Sequence, residues 1–290
     1  MKKVLALVLA LVMAVCCFAA CSKPVVDDPT DSAVEGPFAG QTLVMGSSCD
    51  FPPYEFIGDD GSYAGIDVEL ATAICEKLGA TLEVKDMDFN GIVAAVETKA
   101  VSFGMSGMTI TEDRKESVNF STPYETSYQM ILVKEGSDIT SKEDLEGKKI
   151  GVQAGTTGDQ FTTEDFGQEN VAQYTKYALA IQALINDQVD CVVLDEAPAK
   201  EFAAENEGLK VLDTAYGAEE YAVAFNKEDT ALLEAWNAAF AELKEEGKVD
   251  AIFAEYKTDD EAEEADETAA DDVTEEETAA DAAEEETAAE

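Results

Sequence analysis

Met105-Ser106-Gly107-Met108-Thr109-Ile110-Thr111-Glu112-Asp113-Arg114 is the stretch from which the rest of the chain is read. Arg114 is the only arginine in a chain of formal net charge -44, with 19 Lys+Arg against 63 Asp+Glu. A lysine would serve charge balance equally well. A planar, permanently charged guanidinium that can grip a carboxylate through two parallel hydrogen bonds points instead to a specific partner. Ahead of it, the hydroxyls of Ser106 and Thr109 and the bare backbone of Gly107 form a polar turn that a ligand can approach closely. Such a turn suits a small zwitterion. The local alternative is that Thr111 opens a helix with Glu112 and Asp113 in its first turn, and that Arg114 pairs with Asp113 or Glu116.

Upstream, Leu43-Val44-Met45 reads as a strand that runs into a proline-containing loop, Gly46 to Tyr54. Gly65-Ile66-Asp67 leads into a helix with Val68, Ala71, Ile74, Cys75 and Leu78 at helical spacing and Gly79 placed to stop it. Strand Leu82–Val84, helix Phe89–Thr98 and strand Val101–Met105 follow, so strands alternate with helices and predict a parallel sheet covered on both faces. The same grammar returns downstream. Lys149–Val152 is a strand ending at Gln153-Ala154-Gly155-Thr156-Thr157-Gly158, and Val189–Leu194 is a strand ending at Asp195. Polar loops at the carboxyl ends of strands are where open α/β sheets take ligands. Tyr221–Phe225 reads as a returning strand. Thr230–Tyr256, with Leu232, Leu233, Trp236, Phe240 and Leu243, reads as terminal helices.

Met108-Thr109-Ile110-Thr111-x-x-Arg114, followed by Val118-Asn119-Phe120-Ser121-Thr122-Pro123-Tyr124, resembles the polar amino-acid-binding proteins of ABC importers, bacterial solute-binding protein family 3. The resemblance runs from about Gly40 to Tyr256. It implies a two-lobed α/β fold of the periplasmic-binding-protein type (type II), two mostly parallel sheets flanked by helices with a ligand cleft between the lobes. Lobe 1 would comprise 40–125 and 220–257, and lobe 2 would comprise 126–219. It also implies that Arg114, the Thr109 hydroxyl and backbone amides near Thr109 and Thr157 hold a ligand α-carboxylate, with Ser106, Gly107 and Thr156 in the same loops. Asp195 matches the acid for the α-ammonium. Phe51 and Phe89 match two aromatics that sandwich the ligand side chain, and Ser48 and Gln153 the pair that selects it. Both of these are neutral and no counter-charge is visible beside them, so an uncharged, small or polar amino acid is expected.

Met1–Ala20, with Lys2 and Lys3 before the apolar run Val4–Val15, reads as a signal peptide. Cys21 after Phe18-Ala19-Ala20 looks like the lipidated first residue of a lipoprotein, although lipoboxes usually have Leu where Phe18 stands. Residues 21–39 then read as a flexible tether and 258–290 as a disordered acidic tail, with Glu-Glu-Glu-Thr-Ala-Ala at 275–280 and again at 284–289. The expected location is extracytoplasmic, lipid-anchored to the outer face of the cytoplasmic membrane. The chain has no histidine, which removes imidazole-based triads, metal sites and general bases together. Beyond Cys21, only Cys49, Cys75 and Cys191 could pair, so at most one bond could form. The acidic balance argues against nucleic acid. No cofactor or metal is expected. The expected partners are a free amino acid and an ABC permease with its ATPase, and the protein is expected to be a monomer.

The leading reading is therefore capture without chemistry. An alternative from another class is an enzyme on the same scaffold resembling cyclohexadienyl dehydratase, for which Glu55 and Glu196 are the nearest proton-transfer residues. A sensory receptor domain is disfavoured because no signalling module follows Tyr256.

Overall fold

The computed structural model describes residues 36–213 and 217–256. In chain order its elements begin with β1 (Thr42–Ser47), β2 (Phe56–Ile57), β3 (Tyr63–Ala64), α1 (Ile66–Leu78), β4 (Thr81–Asp86), α2 (Ile92–Glu97), β5 (Phe103–Gly104), α3 (Glu112–Ser117) and β6 (Val118–Phe120). They continue with β7 (Glu125–Lys134), β8 (Ile150–Gln153), α4 (Thr157–Phe166), β9 (Val171–Tyr174), α5 (Tyr177–Ile185), β10 (Cys191–Asp195), α6 (Glu196–Glu205) and β11 (Leu209–Val211). The last are β12 (Ala218–Tyr221), β13 (Ala224–Asn226), α7 (Thr230–Glu245) and α8 (Lys248–Glu255).

One sheet runs β4-β1-β5-β13-β6, and the other runs β11-β7-β10-β8-β9 with β12 paired to β7. β1 is parallel to β4 and β5, and β8 is parallel to β9 and β10, as strands separated by helices should be. The expectation of mostly parallel sheets needs correcting at their flanks. β13 lies antiparallel to β5 and β6, and β7 antiparallel to β10, β11 and β12, because the chain crosses between the sheets twice and returns against its outward direction.

In the first half, α1 buries Val68, Ala71, Ile74, Cys75 and Leu78 in one cluster with Trp236, Phe240 and Leu243 of α7. Each large side chain so covered contributes about 1.5–3 kcal/mol. Gly79 ends α1 in the left-handed conformation (φ 76°), where a side chain would be strained. In the second half, β10 buries Val192 and Leu194 in one cluster and Cys191 and Val193 in another. That two-sided burial is why its sequence is a continuous apolar run rather than an alternating one.

Three local expectations change. Phe89–Gly91 is a separate 3₁₀ turn before α2, and Val101–Met105 contributes only Phe103–Gly104 to the sheet. The end of the expected tether is packed rather than free: Phe38 N–H donates to Leu78 O at 3.0 Å and its ring lies against the α1–α7 cluster. Cys49, Cys75 and Cys191 are free and buried, and burial pushes their thiols up to about 11, 12 and 12 respectively. The signal peptide, Cys21 and the acidic tail lie outside the described residues.

Candidate functional site

The ends of β1, β5, β8 and β10 converge on one cavity. From the first half come Ser48 and Phe51 after β1, Phe89 after β4, Ser106, Gly107 and Thr109 after β5, and Arg114 in α3. From the second come Gln153 at the end of β8, Thr156 and Thr157 at the start of α4, and Asp195 at the end of β10. Each residue singled out from the sequence for the ligand thus lines one space, together with Glu55 and Tyr177.

Thr111 caps α3, its hydroxyl accepting from Arg114 N–H at 3.2 Å, as the local reading required. The side chain of Arg114 nevertheless turns away from Asp113 and Glu116. Nη1 donates to Thr109 O at 2.6 Å, Nη2 donates to Gly155 O at 3.0 Å across the cleft, and the guanidinium carbon sits 5.3 Å from the Phe89 ring centroid. Burial pushes its pKa down to about 10, against the pull of Glu219 and Asp195, so it keeps its charge at neutral pH. Gly107 (φ 49°) is placed by close approach: a Cβ there would stand 2.6 Å from the Phe51 ring.

Asp195 Oδ1 accepts from Tyr221 O–H at 2.5 Å. Burial, followed by the charge of Glu219, pushes its carboxyl up to about 7. Thr156 is the N-cap of α4, its hydroxyl accepting from Asp159 N–H at 3.2 Å, so the start of this helix, with Thr156 and Thr157, borders the cavity. Below Ser106, whose hydroxyl donates to Glu55 Oε1 at 2.5 Å, Glu55 lies beside Asp67. Asp67 Oδ2 accepts from Gly107 N–H at 2.9 Å and Tyr124 O–H at 3.0 Å. Burial and then Asp67 push Glu55 well above the carboxylate range, while burial takes Asp67 to about 6. Glu55 Oε2 and Asp67 Oδ1 are buried without a donor, a cost that neighbouring carboxyls relieve by sharing a proton.

At the other end, Gln153 Nε2 donates to Ser48 Oγ at 3.1 Å and Thr175 O at 3.0 Å. The expectation that no charge reaches this end is corrected. Lys176 Nζ donates to Ser48 Oγ at 3.2 Å and Asp86 Oδ1 at 2.8 Å, and lies 3.5 Å from Asp50 Oδ1. Sequence reading missed Lys176 because nothing local distinguishes it from any surface lysine ahead of a helix. Tyr177, missed likewise, stacks on Phe51 with centroids 5.6 Å apart and planes at 24°.

One cavity at the strand ends of two sheets thus brings together a cation, Arg114, and a buried acid, Asp195. The family model for bacterial extracellular solute-binding proteins, family 3, matches residues 43–259. The chain belongs to that family. This solute-binding protein is 34% identical over 226 residues to the arginine-binding extracellular protein ArtP of Bacillus subtilis (strain 168), a match covering 74% of this chain and 86% of ArtP. It is 32% identical over 218 residues to the L-cystine-binding protein TcyJ of Escherichia coli (strain K12), covering 74% of this chain and 82% of TcyJ. Among solved structures, the P235GK mutant of ArgBP from T. maritima superposes with a TM-score of 0.71 at 41% identity, covering 74% of this chain and 94% of that one. An ancestral arginine-binding protein bound to glutamine gives 0.71 at 40% identity, covering 74% and 97%. The two-lobed binding-protein fold follows, and so does the class: a solute-binding protein of a family whose relatives bind amino acids, not an enzyme.

Proposed function

We propose that this solute-binding protein captures a free, uncharged amino acid outside the cytoplasm, by closure of two lobes (40–125 with 220–257, and 126–219), and passes it to an ABC permease and its ATPase. The observation that carries amino-acid capture is the pair Arg114 and Asp195, opposite charges from opposite halves lining one cavity. A ligand gripped by both favours the closed form, since it gains its second partner only there. The α-carboxylate goes to Arg114 and the first-turn amides of α4, the α-ammonium to Asp195, and the side chain lies beside Phe51 and Phe89 towards Ser48 and Gln153. The uncharged class is supported by the neutral pair Ser48 and Gln153 at the side-chain end, where the Lys176 ammonium is already taken up by Asp86 and Asp50.

One observation favours a second reading, a cationic side chain: an acid, Glu55, lines the same cavity, and ArtP is an arginine-binding protein. Thermal-shift screening of the twenty amino acids decides between them. Under the first reading a neutral ligand such as glutamine gives the largest stabilisation, and arginine and lysine bind at least about a hundredfold more weakly, roughly 2.7 kcal/mol. Under the second, arginine gives the largest shift and Glu55→Gln removes it.

The mature protein is proposed to begin at a lipidated Cys21. Metabolic labelling with a lipid precursor is expected to mark the wild-type protein and not Cys21→Ala, which should be released from the membrane fraction. Labelling that persists in that variant would move the anchor elsewhere.

A further inference from the structure

Glu219 is buried, 5% exposed, and does not line the cavity, yet it reaches both of its walls. It stands on β12, opposite Ser127 of β7, in the antiparallel ribbon on which the chain passes between the sheets. Tyr221, two residues on and therefore on the same side of the strand, donates to Asp195. Glu219 Oε2 accepts three hydrogen bonds, from Thr109 Oγ1 at 3.0 Å, Thr157 Oγ1 at 2.9 Å and Gln129 Nε2 at 3.1 Å. Thr109 belongs to the loop after β5 in the first half, whereas Thr157 opens α4 in the second. A buried carboxylate with no cation in contact is costly; here Oε2 is held by two hydroxyls and an amide, while Oε1 is buried without a hydrogen-bond partner.

We propose that Glu219 is a positioning residue of the amino-acid site: one carboxylate oxygen from the crossing strand ties Thr109 of one half to Thr157 of the other and so favours the closed cleft. The inference rests on the amino-acid reading for its role in binding, but the tie itself does not need a ligand. A carboxylate is an acceptor only, so both threonine hydroxyls direct their protons to Glu219. The ligand carboxylate is then left to Arg114 and the main-chain amides, and the threonines serve by holding their loops together. Opening the cleft must break at least one of the two bonds, because their donors move apart. The charged and titratable groups facing this point are Arg114, Asp195 and Tyr177, each of which senses Glu219 electrostatically.

The test uses the full chain and two readouts. Glu219→Leu keeps much of the volume but leaves the three donors without an acceptor. Amide hydrogen exchange without ligand is expected to rise at least fivefold in both 105–111 and 153–160, with the β10 and α7 peptides unchanged. Kd for the amino acid found by screening is expected to weaken at least tenfold. If Glu219→Leu unfolds more than 10 °C below wild type, Thr157→Val removes one arm alone and should raise exchange in both loops at least threefold. Exchange and Kd within twofold of wild type, in whichever variant folds, overturn the proposal. If no amino acid binds the wild-type protein, the functional reading fails while the exchange measurement still decides the tie.

Discussion

Replacing Arg114 by lysine is expected to weaken amino-acid binding at least about thirtyfold, roughly 2 kcal/mol, while the fold is retained. Lysine keeps the charge, so a loss of this size isolates geometry. The guanidinium is fixed by two carbonyls, Thr109 O at 2.6 Å and Gly155 O at 3.0 Å, and by the Phe89 ring beneath it. Its planar fork can hold those acceptors and still face a carboxylate with parallel N–H groups, whereas a lysine ammonium has three donors at a single point and would release at least one partner. Hydrogen bonds to charged groups contribute about 1.5–3 kcal/mol each, which sets the expected scale. Stability should change little, because α3 exposes most of its surface and none of its residues is fully buried. Isothermal titration and a thermal melt on the same preparations check both halves of the expectation. A loss smaller than about threefold, ~0.7 kcal/mol, would remove the clamp role from Arg114.

Arg114 was legible in sequence because it is a singular residue type in a recognisable motif, and Gly107 and Asp195 because they stand where strands end. The local reading of Thr111 as a helix cap also holds, and it takes only the backbone N–H of Arg114, whose side chain lines the cavity. What sequence could not show is proximity across the cleft. Lys176 meets Ser48 over a separation of 128 residues, and Glu219 meets Thr109 over 110. In Glu219-Glu220-Tyr221 the alternation that turns Glu219 and Tyr221 inward is visible only once β12 is known to be a strand with a buried side. The antiparallel flanks escaped notice for a related reason, since the return of β13 into the first sheet is set by where β12 crosses and not by any pattern within Ala224–Asn226.

Acidification is expected to weaken binding, about tenfold for each pH unit below 7 and about thirtyfold by pH 5.5. The ordinary aspartate pKa is 3.8, and in the ligand-free protein Asp195 is pushed up to about 7 by burial and by Glu219. Below that pH the carboxyl carries a proton, and a neutral carboxyl is a poor partner for an ammonium. Binding must then expel the proton, which links affinity to pH with a slope of one proton per site. Stability of the free protein runs the other way. Between 3.8 and about 7 the folded state holds a proton at Asp195 that the unfolded chain has released, so this contribution is fully present below 3.8 and is lost as pH rises through 7. Asp67, raised to about 6, acts in the same sense. Melting temperature without ligand should therefore fall across this range, while the increase produced by saturating amino acid grows. The chain has no histidine, so no imidazole titrates in the window, and Arg114, lowered only to about 10, stays charged throughout. Asp195→Asn separates the remaining carboxyls: it should bind at least about a hundredfold more weakly at pH 8 and lose the slope between pH 5.5 and 7. Titrations in two buffers of different ionisation enthalpy count the released proton directly, and a Kd that stays flat from pH 5.5 to 8 in the wild-type protein would separate Asp195 from the ammonium site.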